Sequence, residues 1–428
     1  MSREMKDSGI SWIGEIPSDW RIGHLKRLAR IKTGSTPSRS VEEYYSEKSG
    51  LPWIKPENLN SYDSVENTAE YLTAEGRVAG TVFPQNTVFA CCIASIGKIG
   101  YSNIEASCNQ QINGLIYNDL INWKYGFYSN VAANNEYLAR ANSSVQFILN
   151  STNQGYIQMP IPSIAEQEII STFLDSKCAA IDQVIQKQKD IVNKLMEYKQ
   201  STITQAVTKG LNPNVKMKDS EIDWIRRIPE SWDIIPLKAL FKENKKRNTD
   251  LTNSNLLSLS YGRIIQKNID SNFGLLPDNF SKYTIVNDGD IVLRLTDLQN
   301  DHKSLRTGLV TQSGIITSAY VTLTPKKKLC SRYFHYLLHS YDIQKVFYTM
   351  GEGIRQSLSY DELSRNIRLI MPSFKEQQSI ANYLDSKCLA IDESIKRSNK
   401  IIQKLEEYKK SLIYNAVTGK IDCRGEVK

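Results

Sequence analysis

Several absences narrow the field before any motif is considered. No window approaches the roughly 18 uninterrupted apolar residues of a membrane span, and the opening MSREMKDSG carries no apolar secretory stretch. The expected location is the cytoplasm. Seven cysteines, an odd number with no CxxC pair, argue against a disulfide framework or a zinc site and for reduced core thiols. Four histidines leave little from which to build an acid–base triad. His335 and His339 share a helical face at i, i+4, but no HExxH is present, and Tyr333, Phe334 and Tyr336 around them point to aromatic packing rather than metal. There is no GxxxxGK[ST] loop; ASIGKIG at 94–100 lacks the first glycine and the Ser/Thr, and reads as a turn. No glycine-rich cofactor loop follows a strand, and no Asn/Asp-Pro-Pro-aromatic motif occurs. The expectation is a chain without cofactor or metal that catalyses nothing by itself.

What is present is repetition. MKDSGISWIGEIPSDW at Met5–Trp20 returns as MKDSEIDWIRRIPESW at Met217–Trp232, displaced by 212 positions. PSIAEQEIISTFLDSKCAAID from Pro162 returns as PSFKEQQSIANYLDSKCLAID from Pro372, displaced by 210. Two paired segments with one common period signal a tandem duplication of about half the chain. At 428 residues, 40% of them hydrophobic, the chain is long enough for at least two packed domains. The net charge of +8 and pI near 8.9 suit local phosphate contacts without requiring them.

Each copy opens with a WI…IP..W element, read as a strap packed onto its own domain. A globular stretch follows, about 20–160 and 232–370. Strand signals are TVFACCIASIG at 87–97, QQINGLIY at 110–117, DIVLRLTD at 290–297 and GIITSAYVTLTP at 314–325; helical signals lie at 123–139 and 331–348. Strands mixed with few helices, without βαβ alternation, predict an α+β fold. Each copy closes with about 45 residues free of Pro and Gly. Ser163 and Ser373, three residues before Glu166 and Glu376, predict capping boxes, and Gly210 and Gly419 predict the stops. The apolar series Ile170, Leu174, Cys178, Ile181, Ile185, Ile191, Leu195, Tyr198 and its partner Ile380, Leu384, Cys388, Ile391, Ile395, Ile401, Leu405, Tyr408 predict two helices of ~65–70 Å paired as an antiparallel coiled coil. The expected boundaries are a first globular domain at 1–160, a central helix at 161–211, a second domain at 212–371 and a closing helix at 372–428, related by a pseudo-two-fold.

The lead MKDSGISWIGEIPSDW, the P-S-x-x-E-Q helix start, the LDSK…ID stretch, the terminal EYKxSxIxxAVT and NDGDIVLRLTDLQND…GIITSAY together resemble the specificity subunits of type I restriction–modification systems, from Met5 to about Lys420. The resemblance implies two target-recognition domains reading the halves of a bipartite, asymmetric double-stranded DNA site, and a helical spacer setting the gap. It implies two modification (methyltransferase) subunits that carry the adenine methylation, and restriction subunits that translocate and cleave. No short tetrapeptide repeat occurs around Lys194–Gly210, which leaves the spacer length open. The other readings are a single-chain DNA-binding transcription regulator and a coiled-coil protein scaffold.

Candidate DNA contacts cluster in polar loops: Asn109, Gln110 and Gln111 in SCNQQ; Ser144 and Gln146 in ANSSVQ; Arg294, Gln299 and Asn300 near TDLQNDHKSLR; and Arg355 and Gln356 in GEGIRQSLS. Asn and Gln pair bidentately with adenine, and Arg or Lys with guanine. Gln146 and Gln356 fall at equivalent repeat positions. Lys303, Arg306 and Arg263 are candidates for phosphate contacts. The competing expectation for the Asn and Ser residues is solvated loops, caps and turns. Lys187, Lys189, Lys194 and Lys199 are expected on a solvated helix face.

Overall fold

The computed structural model describes residues 3–59, 64–143, 147–267, 279–298, 305–350 and 357–425. Two long helices dominate it. In chain order the helices that matter below are α1 (Trp123–Ala132), α2 (Ile164–Lys209), α3 (Ser331–Ile343) and α4 (Phe374–Val417). The absence of Pro and Gly lets α2 run for 46 residues and α4 for 44. Gly210 and Gly419 follow them in left-handed conformations, with φ of 77° and 73°, a backbone that residues with a side chain rarely adopt.

The chain divides into two units. The first comprises Met1–Gln188 with Lys400–Lys428, and the second comprises Lys189–Asn399. Each therefore holds the beginning of one long helix and the end of the other. In the first, Ile170, Leu174, Cys178, Ile181 and Ile185 of α2 share a core with Leu412, Ile413, Ala416 and Val417 of α4. In the second, Ile203, Ala206 and Val207 of α2 share a core with Ile380, Ala381, Leu384 and Cys388 of α4. Start against end is antiparallel packing. The expected seam needs one correction: Ile191, Tyr198, Ile401 and Tyr408 are exposed. Cys178, Ile185 and Val192 are all buried, so the seam steps by seven to Val192, one residue and about 100° of rotation from Ile191.

Each globular part is α+β. In the first unit an antiparallel sheet runs in the order Ile99–Ser102, Thr87–Cys91, Ile112–Tyr117, Ala29–Thr33. In the second the order is Thr307–Leu309, Ile291–Leu293, Val321–Pro325, Phe241–Glu243, the same sheet built again. The second layers differ. The first unit has a five-stranded sheet whose Leu51–Ile54 and Ala106–Cys108 strands are parallel, with Trp53 opposite Ser107. The second unit has, among the described residues, two separate pairs: the hairpin Leu257–Ser260 with Arg263–Gln266, and Thr284–Val286 with Gly314–Ile316. Buried Tyr125, Phe127 and Tyr128 on α1 and Tyr333 and Phe334 on α3 pack against the shared sheets and the long helices.

Candidate nucleic-acid interface

The repeated polar residues hold each globular part to its long helix. Trp20 donates its indole N–H to Glu166 Oε2 at 2.9 Å, and Trp232 donates to Glu376 Oε1 at 3.1 Å. Gln167 Oε1 accepts the Asn122 N–H at 2.8 Å, and Gln377 Oε1 accepts the Cys330 N–H at 3.1 Å. The Tyr128 and Tyr336 hydroxyls donate to Asp175 and Asp385 at 2.6 and 2.8 Å. Burial first, and then these carboxylate bonds, push both phenols well above their ordinary pKa. Lys124 and Arg332 pair with the same two carboxylates. Asp182 pairs with Lys409 in the first unit, and Asp392 with Lys199 in the second. Each charged or amide side chain of the E-Q…D…D pattern thus makes one corresponding contact in both copies, with Glu166 and Asp392 each holding a further arginine.

Capping differs slightly. Ser373 and Glu376 form the full reciprocal box. Ser163 Oγ accepts the Glu166 N–H at 3.3 Å, while the Glu166 carboxylate turns to Arg3 and Trp20.

The faces left over by this framework differ between units. In the first, the Arg39 guanidinium lies 4.1 Å from the Tyr45 ring centroid and 4.6 Å from that of Trp53. Glu70 accepts from both its terminal nitrogens at 2.6 and 3.1 Å, and from Lys55 at 2.5 Å. The Arg39 bond, assisted by Lys55 against the cost of burial, lowers the Glu70 carboxyl to about 2. Parallel pairing carries the SCNQQ loop beside the Lys55 end of the same strand: the Asn109 N–H donates to Ile54 O at 3.1 Å. A guanidinium braced against two rings and still half exposed is suited to phosphates or guanine edges.

The candidate residues separate clearly. Asn109 is buried, and its side chain makes a turn, with Oδ1 accepting the Gln111 N–H at 3.1 Å and Nδ2 donating to Gln111 Oε1 at 3.0 Å. That corrects the expectation of base readout by Asn109: its polar atoms are committed to the loop. Gln111 is half-buried in the same turn, and Gln110 is the exposed amide of the three, accepting from Thr36. Arg306 is a second correction. It is fully buried, with Nη1 donating to the carbonyls of Arg294 and Thr296, Nη2 to that of Asp297, and Nε to the Tyr348 hydroxyl. A phosphate cannot reach a guanidinium spent on carbonyls, so Arg306 ties down the segment around Arg294, itself half-buried. Arg263 is exposed on the hairpin, and its Nη2 pairs with Asp392 Oδ2 at 2.7 Å. Ser144, Gln146, Gln299, Asn300, Lys303, Arg355 and Gln356 lie outside the described residues.

Sequence reasoning missed the Arg39–Trp53–Glu70 cluster, whose members are scattered through 39–70 without a spacing signal. It also missed the hairpin tip Tyr261–Gly262, which an X-Gly pair between LLSLS and RIIQ announces. Among the described residues no helix is long and apolar enough to cross a membrane.

Each of the two units thus packs an α+β part against portions of both long helices. Residues 17–203 match the family model of the type I restriction modification DNA specificity domain. The chain is 24% identical over 435 residues to the putative type I restriction enzyme MjaX specificity subunit of Methanocaldococcus jannaschii, covering 96% of this chain and 95% of that protein. It is 22% identical over 465 residues to the EcoBI specificity subunit of Escherichia coli, covering 99% and 90%. A match at 25% identity to the MjaIX specificity subunit of M. jannaschii spans 55% of each protein. The fold is shared, with TM-score 0.68, 12% identity and coverage of 95% and 99%, with a solved structure on complex assembly and conformational transition of the type I R-M system. Residues 17–203 thus match the specificity domain, and over nearly its whole length the chain is similar to type I restriction enzyme specificity subunits.

Proposed function

We propose that this chain reads a bipartite, asymmetric site on double-stranded DNA and directs adenine methylation and restriction by partner subunits, with no catalysis of its own. The observation that carries this reading is one framework built twice beneath two different exposed faces. Residues 1–160 and 212–371 serve as the two target-recognition domains. Arg39, Lys55 and Gln110 supply contacts for one half-site, and Arg263 and Arg294, with Gln299, Asn300, Lys303, Arg355 and Gln356, supply contacts for the other. Ser144 and Gln146 belong with the first set. Two modification subunits, matching the two copies of the framework, and restriction subunits complete the assembly, and its setting is the cytoplasm.

The test is co-expression with the cognate modification subunit and long-read mapping of methylated adenines. The expected result is a split motif with one methylated adenine in each half. Substituting Arg39 by Ala is expected to relax or abolish recognition in one half and leave the other half's sequence intact. An unsplit motif, or loss of both halves together, overturns the assignment.

A further inference from the structure

The hairpin of the second unit carries a side chain that the fold does not use. Ser260 pairs with Arg263, so Tyr261 and Gly262 form a two-residue turn, with φ of 47° and 76°. Such primed turns require left-handed backbone at both positions and favour Asn, Asp or Gly at the first. A tyrosine there is strained, and its burial offers no compensation: the residue is 88% exposed. The next most exposed aromatics among the described residues, Tyr408, Phe147 and Tyr198, reach 57%, 54% and 54%.

The platform beneath this ring is firmly built. A Cβ on Gly262 would stand 3.2 Å from Leu305, and one on Gly308 would meet Leu259 and Ile264 at 2.6 and 2.8 Å, so the hairpin lies close against the neighbouring strand. Arg263, the residue after the turn, is tied to Asp392 of α4 at 2.7 Å. Gly262, Arg263 and the Arg332–Asp385 pair border a cavity of about 310 Å³ beside the turn. A rigid ribbon with an aromatic tip and an exposed arginine beside it matches what a base-stacking wedge requires: a ring for the π-face and positive charge for the adjoining backbone.

We infer that Tyr261 stacks on a base in the half-site read by the second unit, opening the duplex locally while Arg263, two residues on, meets an adjoining phosphate. The inference rests on the DNA-reading role proposed above and adds the residue and the mode of contact.

The experiment uses the full chain assembled with its modification subunits, and duplexes carrying the mapped site with 2-aminopurine placed at successive positions. Tyr261→Asn supplies the residue that the turn prefers, so its unfolding temperature should equal or exceed that of the parent. Its affinity for the cognate duplex should nonetheless fall between about fivefold and a hundredfold, the range for one lost stacking contact. The 2-aminopurine signal should change at one position or step of the second half-site only. Tyr261→Phe should retain both affinity and signal. Binding by Tyr261→Asn within twofold of the parent, or a loss for Tyr261→Phe as large as for Tyr261→Asn, overturns the wedge and leaves the DNA-reading role standing. An unsubstituted assembly that prefers no duplex overturns that role and the wedge with it.

Discussion

Tyr125 and Tyr333 perform one task in two settings. Tyr125 donates to the carbonyls of Pro160 and Val417 at 3.0 and 3.1 Å, and Tyr333 to those of Ile370 and Val207 at 3.3 and 3.1 Å. Each hydroxyl thus joins a strand of its own domain to the last turn of a long helix. One position later the agreement ends: Gly126 stands opposite Phe334, then Phe127 opposite His335, and Val131 opposite His339. The helix face toward the long helices is repeated, and the face toward the sheet is free to differ. Where side chains clamp domain to helix the two copies agree even in their hydrogen-bond partners; where they support or form the outer face, packing is solved anew. That division is what a protein needs if specificity is to change while assembly does not.

The comparison can be broken most forcefully at the indoles. Trp20 and Trp232 are each about 1% exposed, and replacing either with Ala should cost about 3–5 kcal/mol in its own unit and little in the other. Hydrogen exchange resolved along the chain would check this, and equal loss of protection in both units would contradict it.

Acid should separate the copies next. Burial holds His335 at about 4 and, together with His335 itself and Lys199, holds His339 at about 3, against an ordinary value of 6.5. Below pH 6.5 the unfolded chain takes up protons that the folded one refuses. Stability present at neutral pH is therefore lost as pH falls from 6.5 towards 3, by on the order of 2 kcal/mol per histidine at pH 5. Phe127 and Val131 at the equivalent positions do not titrate, so exchange protection at pH 5 should fall in the second unit and not in the first. His335→Phe with His339→Val, the first unit's residues, should flatten the dependence.

The smallest effect sharpens the comparison in the straps. Gly14 and its counterpart Arg226 share a left-handed backbone, with φ of 68° and 64°. Arg226→Gly, which restores the first copy's residue, should stabilise the second unit by roughly 0.5–1 kcal/mol in chemical unfolding, by relieving the Cβ strain. Destabilisation would mean that the arginine side chain contributes more than its backbone costs.

Much of the framework was readable from the chain. Missing prolines and glycines delimited both long helices, and the two glycine stops fell where expected. The repeat located the strap and the clamp residues, although not what Glu166, Asp175 and Asp182 grip, because spacing identifies a face and not its partner. Ile191 and Tyr198 were misplaced because a stripe read from apolar identity alone drifts by one residue when a polar position, here near Gln188, occupies the seam. GIITSAYVTLTP reads as one strand but supplies two, in different sheets, because the turn at Thr317–Tyr320 interrupts the pairing. Asn109 and Arg306 misled for a related reason. A polar residue in a loop satisfies backbone groups as readily as it meets a ligand, and only burial distinguishes the two.

One feature of the framework also bears on biosynthesis. The core of the first unit includes Leu412, Ile413, Ala416 and Val417, more than two hundred residues beyond the strands they cover, whereas the second unit is a single uninterrupted stretch. On the ribosome the segment made first must wait, its apolar helix face uncovered and Tyr125 without its Val417 acceptor, until residues 412–417 have emerged. The later segment can close on itself sooner. Nascent chains of this protein should therefore depend on chaperone protection of the earlier half, and the order of synthesis is the reverse of the order of completion.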